Sequence, residues 1–323
     1  VAISGTWGFH PRYAVAKGAG LVALGLGAVA LATSGLGWRR AADAWLGGTA
    51  LALLLTLVLG LAGPAVLRDR VFFGGGGVLG LPFPRMSGPF FHPNMMGDYL
   101  VVSAALLWGG WPELTGHART VALALGGALA ASFFLTVSTA WVGAGVTAVW
   151  AGRGLARHGS RGAATVLRVG GAALAGTTFV FLVLPLDVNV LGLELVTGGV
   201  RPAIWQASLY PFLESPLLGV GAAPYLAEAA DPLHGGVVGL WDAHNAYLSV
   251  LGQFGAVGGV LAGAGAWLAV TGALGRRPWE VSGAPRPRLA LGLALLAVAV
   301  NALFMASEDL RHVWVLMGMV GVV

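Results

Sequence analysis

Long apolar runs separated by short polar links make up most of the chain. This pattern is typical of membrane-spanning helices, each needing roughly 20 apolar residues. It predicts an all-α, polytopic transmembrane bundle with about nine spans. The predicted spans are 14–36, 45–67, 94–111, 119–137, 139–156, 165–186, 247–274, 288–306 and 311–323. The seventh run is long enough to contain a short helix followed by a span, and the ninth is incomplete.

Three links between these runs are rich in arginine, and the positive-inside rule assigns such links to the cytoplasm. They lie at 39–40, 153–168 and 275–288. An even number of predicted spans separates each link from the next, as a common side requires. The segments assigned to the opposite, periplasmic side are 68–93, the tight turn 137–139, 187–246 and 307–310.

The segment 187–246 is too long for a simple connector and divides the chain into three parts. Up to residue 242 it contains six acidic residues and a single base, Arg201. Its aromatic and apolar residues indicate an ordered loop on the membrane surface. We therefore expect an N-terminal bundle at 1–186, a periplasmic loop at 187–246 and C-terminal transmembrane helices at 247–323.

Composition agrees with a membrane protein and excludes several other classes. Hydrophobic residues make up 57% of the 323 residues and charged residues only 10%, whereas soluble domains carry about 25% charged residues. The sequence contains no cysteine, no P-loop, no His-x-x-x-His spacing and no basic patch with interleaved aromatic residues. It therefore predicts no metal, no nucleotide cofactor and no nucleic-acid partner.

Arg201 is a candidate ligand for phosphate, because a guanidinium can bind phosphate oxygens through paired donors. The alternative is a surface ion pair with Glu194 or Glu214. Pro202 is typical of the first turn of a helix, and Pro211 would kink or end that helix.

The buried stripe of this helix is expected to consist of Ile204, Leu209 and Leu213, with Trp205 at the membrane interface.

His244 lies where the long segment meets the seventh apolar run. A neutral imidazole can accept a hydroxyl proton near pH 7, so His244 is a candidate general base, oriented by Asp242 or another acid. The alternative is a histidine at a helix start, where Asp242 or Asn245 would form the N-cap.

Further polar residues are predicted at the same periplasmic face. They are Arg85, His92, Asn94, Asp98, Glu308, Asp309 and Arg311. Asp98 lies about one helical turn inside the third predicted span, and an intramembrane acid is a functional candidate by default. The alternatives are a hydrogen bond from Asp98 to a neighbouring helix and a solvated turn around Arg311.

Two stretches resemble the signature of the O-antigen ligase and polymerase superfamily. They are RPAIWQASLYPFLESPLLGVGAAPYL (201–226) and DAHNAYLSVLGQFGAVGGVLAG (242–263). GPFFHPNMMGDYL (88–100) is similar to the family's helix start upstream, and SEDLRHVWVLMGMV (307–320) resembles its closing helix.

The resemblance implies a bacterial inner-membrane enzyme of the GT-C-like type, with its active site facing the periplasm. Such an enzyme moves a glycan from undecaprenyl diphosphate to an acceptor, such as the lipid A core, without a cofactor or metal. Arg201 would hold the diphosphate, and His244 would activate the acceptor hydroxyl. The residues expected to bind substrate are Arg85, Asn94, Asp98, Trp205, Glu214, Asn245 and Arg311.

One position departs from the family pattern. In LTVSTAWVGAG (135–145), Thr139 occupies the place where the family carries an arginine, so Arg85 or Arg311 would have to replace it. A polymerase and a glycan-to-protein transferase would share the same motifs. A small-anion, bicarbonate-like transporter and a membrane protein without activity are alternatives of other classes.

Overall fold

Helices form most of the computed structural model. The residues that it describes are 11–73, 85–90, 92–110, 116–136, 139–157, 161–183, 186–190, 193–197, 200–222, 227–230, 237–241, 243–274, 286–305 and 311–322. The helices are α1 (Pro11–Thr33), α2 (Trp38–Ala62), α3 (Ala65–Val71), α4 (Pro93–Gly110), α5 (Gly116–Thr136), α6 (Ala140–Arg157), α7 (Arg161–Val183), α8 (Val200–Glu214), α9 (Ala246–Leu274), α10 (Arg286–Asn301) and α11 (Arg311–Val320).

Each predicted apolar run contains one of these helices. Within the described residues, four helices are long and apolar enough to cross a membrane: α1, α2, α7 and α9. The helical character and the membrane-spanning segments are therefore confirmed, and the number of nine spans stays a prediction. The same holds for the division into three parts.

The chain is mostly helical, as predicted, but three short antiparallel strand pairs that the prediction did not include also connect the helices. The strands are β1 (Phe72–Phe73), β2 (Arg85–Met86), β3 (Leu186–Val190), β4 (Leu193–Thr197), β5 (Ala227–Ala230) and β6 (Val237–Trp241). β1 pairs with β2, β3 with β4 and β5 with β6. The alternation in Leu-Asp-Val-Asn-Val is the two-residue period of a strand, which the prediction of a helical bundle overlooked.

The centre of the bundle is formed by α4 and α10, which pack against each other and against α6 and α11. Leu106, Leu291, Leu316 and Met319 are almost fully buried there. By contrast, α1, α2 and α7 expose most of their apolar side chains, as helices that face lipid do. In a bilayer, apolar residues need not point inward, so hydropathy alone does not identify the core.

The buried stripe predicted for α8 is confirmed at Ile204 but wrong at Leu209 and Leu213, because apolar residues of a membrane protein can also face lipid. Leu209 is 41% exposed and Leu213 is 67% exposed, whereas Ile204 and Ser208 are buried. Pro211 lies inside α8, three residues before its end.

The expectation of a short helix followed by a span is confirmed in α9. Its backbone leaves the helical conformation at Gly255, with φ 62° and ψ −163°. This combination is essentially restricted to glycine. The break divides α9 into an N-terminal half (246–254) and a C-terminal half (256–274).

Candidate functional site

A buried polar cluster joins four helices where α4, α6 and α11 begin and α10 ends. Asn301 Nδ2 donates to Asp98 Oδ1 at 2.6 Å, and the backbone N–H of Gly143 donates to Asn301 Oδ1 at 3.1 Å. His312 Nε2 lies 2.8 Å from Asp98 Oδ2. We call Asp98, Asn301 and His312 the Asp98 cluster, and the part of the bundle around it the polar end.

All three members of the Asp98 cluster are buried, with Asp98 and Asn301 at 0% exposure. Taking a carboxylate out of water is costly unless donors replace the water, and here Asn301 and His312 supply one donor to each oxygen. With the carboxylate ionised, His312 Nε2 must carry the hydrogen. His312 Nδ1 is also buried and has no hydrogen-bond partner among the described residues.

Aromatic rings enclose the imidazole of the Asp98 cluster. Phe90 and Tyr99 both meet the ring of His312 edge-on, at centroid distances of 5.6 and 5.8 Å. Tyr99 in turn stacks on Trp45 of α2, and its hydroxyl lies 2.9 Å from that of Thr49. This side of the cluster is therefore sealed by apolar rings rather than open to water.

Arg85 and Asn94 lie beside the junction of α5 and α6. Arg85 Nε donates to the carbonyl of Thr136 at 3.3 Å, and the N–H of Thr139 donates to Asn94 Oδ1 at 3.3 Å. Burial lowers the pKa of the Arg85 guanidinium. The Thr139 hydroxyl is buried and has no hydrogen-bond partner among the described residues. The structure thus places Arg85 against Thr136, three residues before Thr139.

Arg201 is partly buried in the first turn of α8, and Trp205 follows one turn later on the same face. The indole of Trp205 contacts the ring of Phe304, with centroids 5.9 Å apart. Glu214 is exposed at the far end of α8, roughly 20 Å along the helix axis from Arg201. That separation excludes the ion pair between Arg201 and Glu214.

The loop after α8 docks into the break in α9. The N–H groups of Val220 and Gly221 donate to the carbonyls of Gly252 and Gln253, at 3.0 and 2.9 Å. The carbonyl of Pro216 accepts from the N–H of Ala256, beyond the break, at 2.8 Å. The backbone groups that the break releases from the helix are therefore paired with the loop, as groups at membrane depth must be.

The start of α9 is seated on the end of α10. The N–H of Ala246 donates to the carbonyls of Ala302 and Met305, at 2.7 and 3.1 Å. Asn245 Oδ1 accepts from the N–H of Leu248 at 3.1 Å, which confirms Asn245 as the N-cap. Asp242, the other proposed cap, lies outside the described residues.

His244 precedes this cap in the left-handed backbone region, with φ 42°. Such a conformation costs of order 1–3 kcal/mol in a non-glycine residue and is concentrated at functional sites. The side chain of His244 is partly buried.

The turn Asn301–Met305, which we call the shared turn, contacts both candidate catalytic segments. Phe304 packs on Trp205, one helical turn from Arg201, and the carbonyls of the turn hold Ala246, two residues from His244. The structure therefore brings α8 and the start of α9 to one place in the bundle.

Arg311, another of the predicted residues, lies at the same end of the bundle. Arg311 is exposed in the first turn of α11, next to His312. Glu308 and Asp309 lie outside the described residues. No group of three potential metal ligands occurs among the described residues.

Sequence reasoning missed His312 and Lys17 as members of polar contacts. Lys17 Nζ lies 3.5 Å from Gln253 Oε1, so a lysine of α1 reaches the N-terminal half of α9. Both are ionisable residues inside predicted apolar runs, and that signal could have identified them.

Comparison with known proteins gave one family. Residues 104–263 match the family model described as O-antigen ligase, a region that includes Thr139, Arg201 and His244. No curated protein and no solved structure gave a significant match. The matched region contains α8, the loop that docks into α9 and the capped start of α9, and the membrane-spanning helices are in place around it. The chain therefore belongs to the O-antigen ligase superfamily of glycan-transferring membrane enzymes.

Proposed function

We propose that this chain transfers a glycan from undecaprenyl diphosphate to an acceptor hydroxyl, such as one on the lipid A core, at the periplasmic face of the bacterial inner membrane. One observation carries the proposal. Arg201 and His244 both lie in the region matched to O-antigen ligase, and their segments are seated on the same turn, Asn301–Met305.

Arg201 binds the diphosphate of the donor in this proposal. Its guanidinium stabilises the charge that develops as the bond between the anomeric carbon and the diphosphate oxygen breaks. The electron pair of that bond leaves with undecaprenyl diphosphate.

His244 accepts the proton of the acceptor hydroxyl, whose oxygen forms the new bond to the anomeric carbon. A neutral imidazole is suited to accept this proton at neutral pH. Direct attack inverts the configuration at the sugar, and the step needs no metal and no nucleotide. Glycan transfer that continues in the presence of EDTA is the expected result.

Arg85 supplies the second contact to the diphosphate that Thr139 cannot make. Its guanidinium bonds to the carbonyl of Thr136, three residues from Thr139, and Asn94 holds the backbone of Thr139 itself.

The other predicted residues have separate roles in this proposal. Arg311 and Trp205 make further contacts with the substrate at the polar end. Asn245 lies beside His244, the base. Asp98 is engaged inside its cluster, so it acts on the site through its neighbours. Glu214 lies too far from Arg201 to contact the same phosphate of the donor, so it would contact the glycan.

Alanine substitutions with matched controls test the two catalytic roles. Arg201→Ala and His244→Ala are expected to abolish transfer to an acceptor in membranes that contain lipid-linked glycan, with unchanged protein levels. The controls are Arg153→Ala and His117→Ala, which remove exposed residues of the same types on α6 and α5. Normal transfer by either site variant would reject its role.

Single cysteines test the orientation in the membrane, because the natural chain has none. Glu214→Cys should react with a membrane-impermeant maleimide added to intact cells after outer-membrane permeabilisation. Arg153→Cys should react only after the inner membrane is opened. The reverse pattern would contradict the proposed topology.

The acceptor distinguishes the related activities. Purified protein given undecaprenyl-diphosphate glycan should glycosylate lipid A core as a ligase, extend the glycan as a polymerase, or modify a protein as a glycan-to-protein transferase. The family match leaves the transporter alternative without support.

A further inference from the structure

The shared turn, Asn301–Met305, contacts α8 through a side chain and the start of α9 through backbone carbonyls. Phe304 is 1% exposed and touches Trp205 of α8 and Phe179 of α7. The carbonyls of Ala302 and Met305 hold the first N–H of α9. A displacement of this turn would move both segments relative to each other.

The start of the shared turn is fixed by the Asp98 cluster. The amide of Asn301 is held on one side by the N–H of Gly143 and on the other by the carboxylate of Asp98. His312 occupies the second carboxylate oxygen. Both carboxylate oxygens of Asp98 and both ends of the Asn301 amide are paired in this buried network. Such pairing favours one arrangement, because a shift would leave one of these buried groups without its partner.

Asp98, Asn301 and His312 have no access to a substrate, since all three are at least nine-tenths buried. We infer that Asp98, Asn301, His312 and Phe304 are positioning residues of the transfer reaction. They hold the shared turn so that Arg201 and His244 act on the same donor molecule. This inference rests on the proposed function.

The inference predicts a particular kinetic pattern. A positioning defect misaligns the base and the diphosphate contact, and a displacement of about 1 Å can reduce a rate about 100-fold. The binding of the donor changes little, because the residues that touch it are still present. The variants should therefore lower kcat much more than they change the donor KM.

Asn301→Leu is the first variant, because leucine keeps the volume and removes both hydrogen bonds of the amide. We expect kcat to fall about 10- to 100-fold, with a donor KM within about 3-fold of the natural value. Phe304→Leu acts on the same turn without disturbing the polar cluster and should show the same pattern. Phe304→Leu still tests the inference if Asn301→Leu does not fold.

Exchange of two residues provides a rescue. Asn301→Asp alone places two carboxylates in contact and should inactivate the enzyme. The double variant Asp98→Asn with Asn301→Asp restores every bond. The exchanged carboxylate accepts from Gly143 and from the exchanged amide, whose oxygen accepts from His312. We expect this double variant to recover most of the natural kcat.

Leu291→Ala is the matched control for stability. Leu291 is fully buried on the same helix, ten residues before Asn301 and roughly 15 Å away along the axis. At an equal fall in Tm, Leu291→Ala should leave kcat close to the natural value. A kcat as low as that of Asn301→Leu would show that general loosening explains the effect and would overturn the inference, as would failure of the double variant to recover.

The proposed function and this inference fail in different ways. Transfer that persists in Arg201→Ala and His244→Ala would contradict the proposed function. If those two variants are inactive while Asn301→Leu and Phe304→Leu keep the natural kcat, only the positioning inference is removed.

Discussion

The two halves of α9 differ in the burial and the polarity of their side chains. In the N-terminal half, Ser249 and Gln253 are buried, and Gln253 Nε2 donates to Ser249 Oγ at 2.6 Å. In the C-terminal half, Val260, Leu261 and Leu268 are each about 70% exposed. The change occurs at Gly255, where the backbone leaves the helical conformation.

This difference shows how one apolar segment can serve two purposes. The N-terminal half is packed against the loop after α8 and against the end of α10, so its position is defined by specific contacts. The C-terminal half has the exposed apolar surface of a membrane anchor. Because of the break at Gly255, the N-terminal half does not have to continue the axis of the C-terminal half. Its orientation can therefore be set by its contacts near the candidate site.

The largest effect is expected from Gly255→Ala. A Cβ at this position would overlap the carbonyl group of Leu217, and the backbone conformation itself disfavours alanine. We expect a loss of more than about 3 kcal/mol in the free energy of unfolding, seen as a much lower Tm and poor yield. A Tm close to that of the natural protein would show that the break is not required.

Gly263→Ala is its control in the other half. Gly263 is helical and exposed, and a Cβ there meets no atom within 4 Å. Because alanine restricts the unfolded chain, this variant should gain about 0.5–1 kcal/mol.

Gln253→Leu is expected to have the next largest effect. It removes the hydrogen bond to Ser249 and the contact with Lys17 of α1, and it leaves both partners buried or partly buried. Each lost hydrogen bond contributes about 0.5–1.5 kcal/mol, so a total loss of about 1–3 kcal/mol is expected. Thermal unfolding in detergent measures the loss, and Ser249→Ala together with Gln253→Leu should cost less than the sum of the two single changes.

Asn245→Ala should destabilise the protein by about 1 kcal/mol, because the N-cap of α9 is lost. Asn245→Asp keeps an acceptor at the same place and should restore the Tm. If both variants unfold alike, the cap does not stabilise the N-terminal half.

Leu261→Ala is expected to have the smallest effect. The side chain is 69% exposed in the C-terminal half, so its removal leaves no cavity, and a change within about 0.5 kcal/mol is expected. A larger loss would show that this half packs against a further surface.

The sequence predicted the helices well, because long apolar runs are a strong signal. It also predicted the N-cap at Asn245 and the two-part character of α9. The strand pairs were missed, since five-residue alternations are short compared with the runs around them. The leucines assigned to the core of α8 are exposed, because apolar residues in a membrane protein are stable on the lipid side as well.

The candidate site was predicted only one segment at a time. Arg201, His244 and Asp98 were each identified from local patterns. The bond between Asp98 and His312 spans 214 positions of the chain, and no sequence period connects them. Tertiary packing alone decides which buried polar residues pair.

The close contact between α6 and α7 limits the residues that can occupy three positions. A Cβ on Gly145, Gly152 or Gly171 would collide with the backbone of the opposite helix. The two backbones approach this closely because these three positions carry no side chain. A residue larger than glycine at any of these three positions would therefore force α6 and α7 apart.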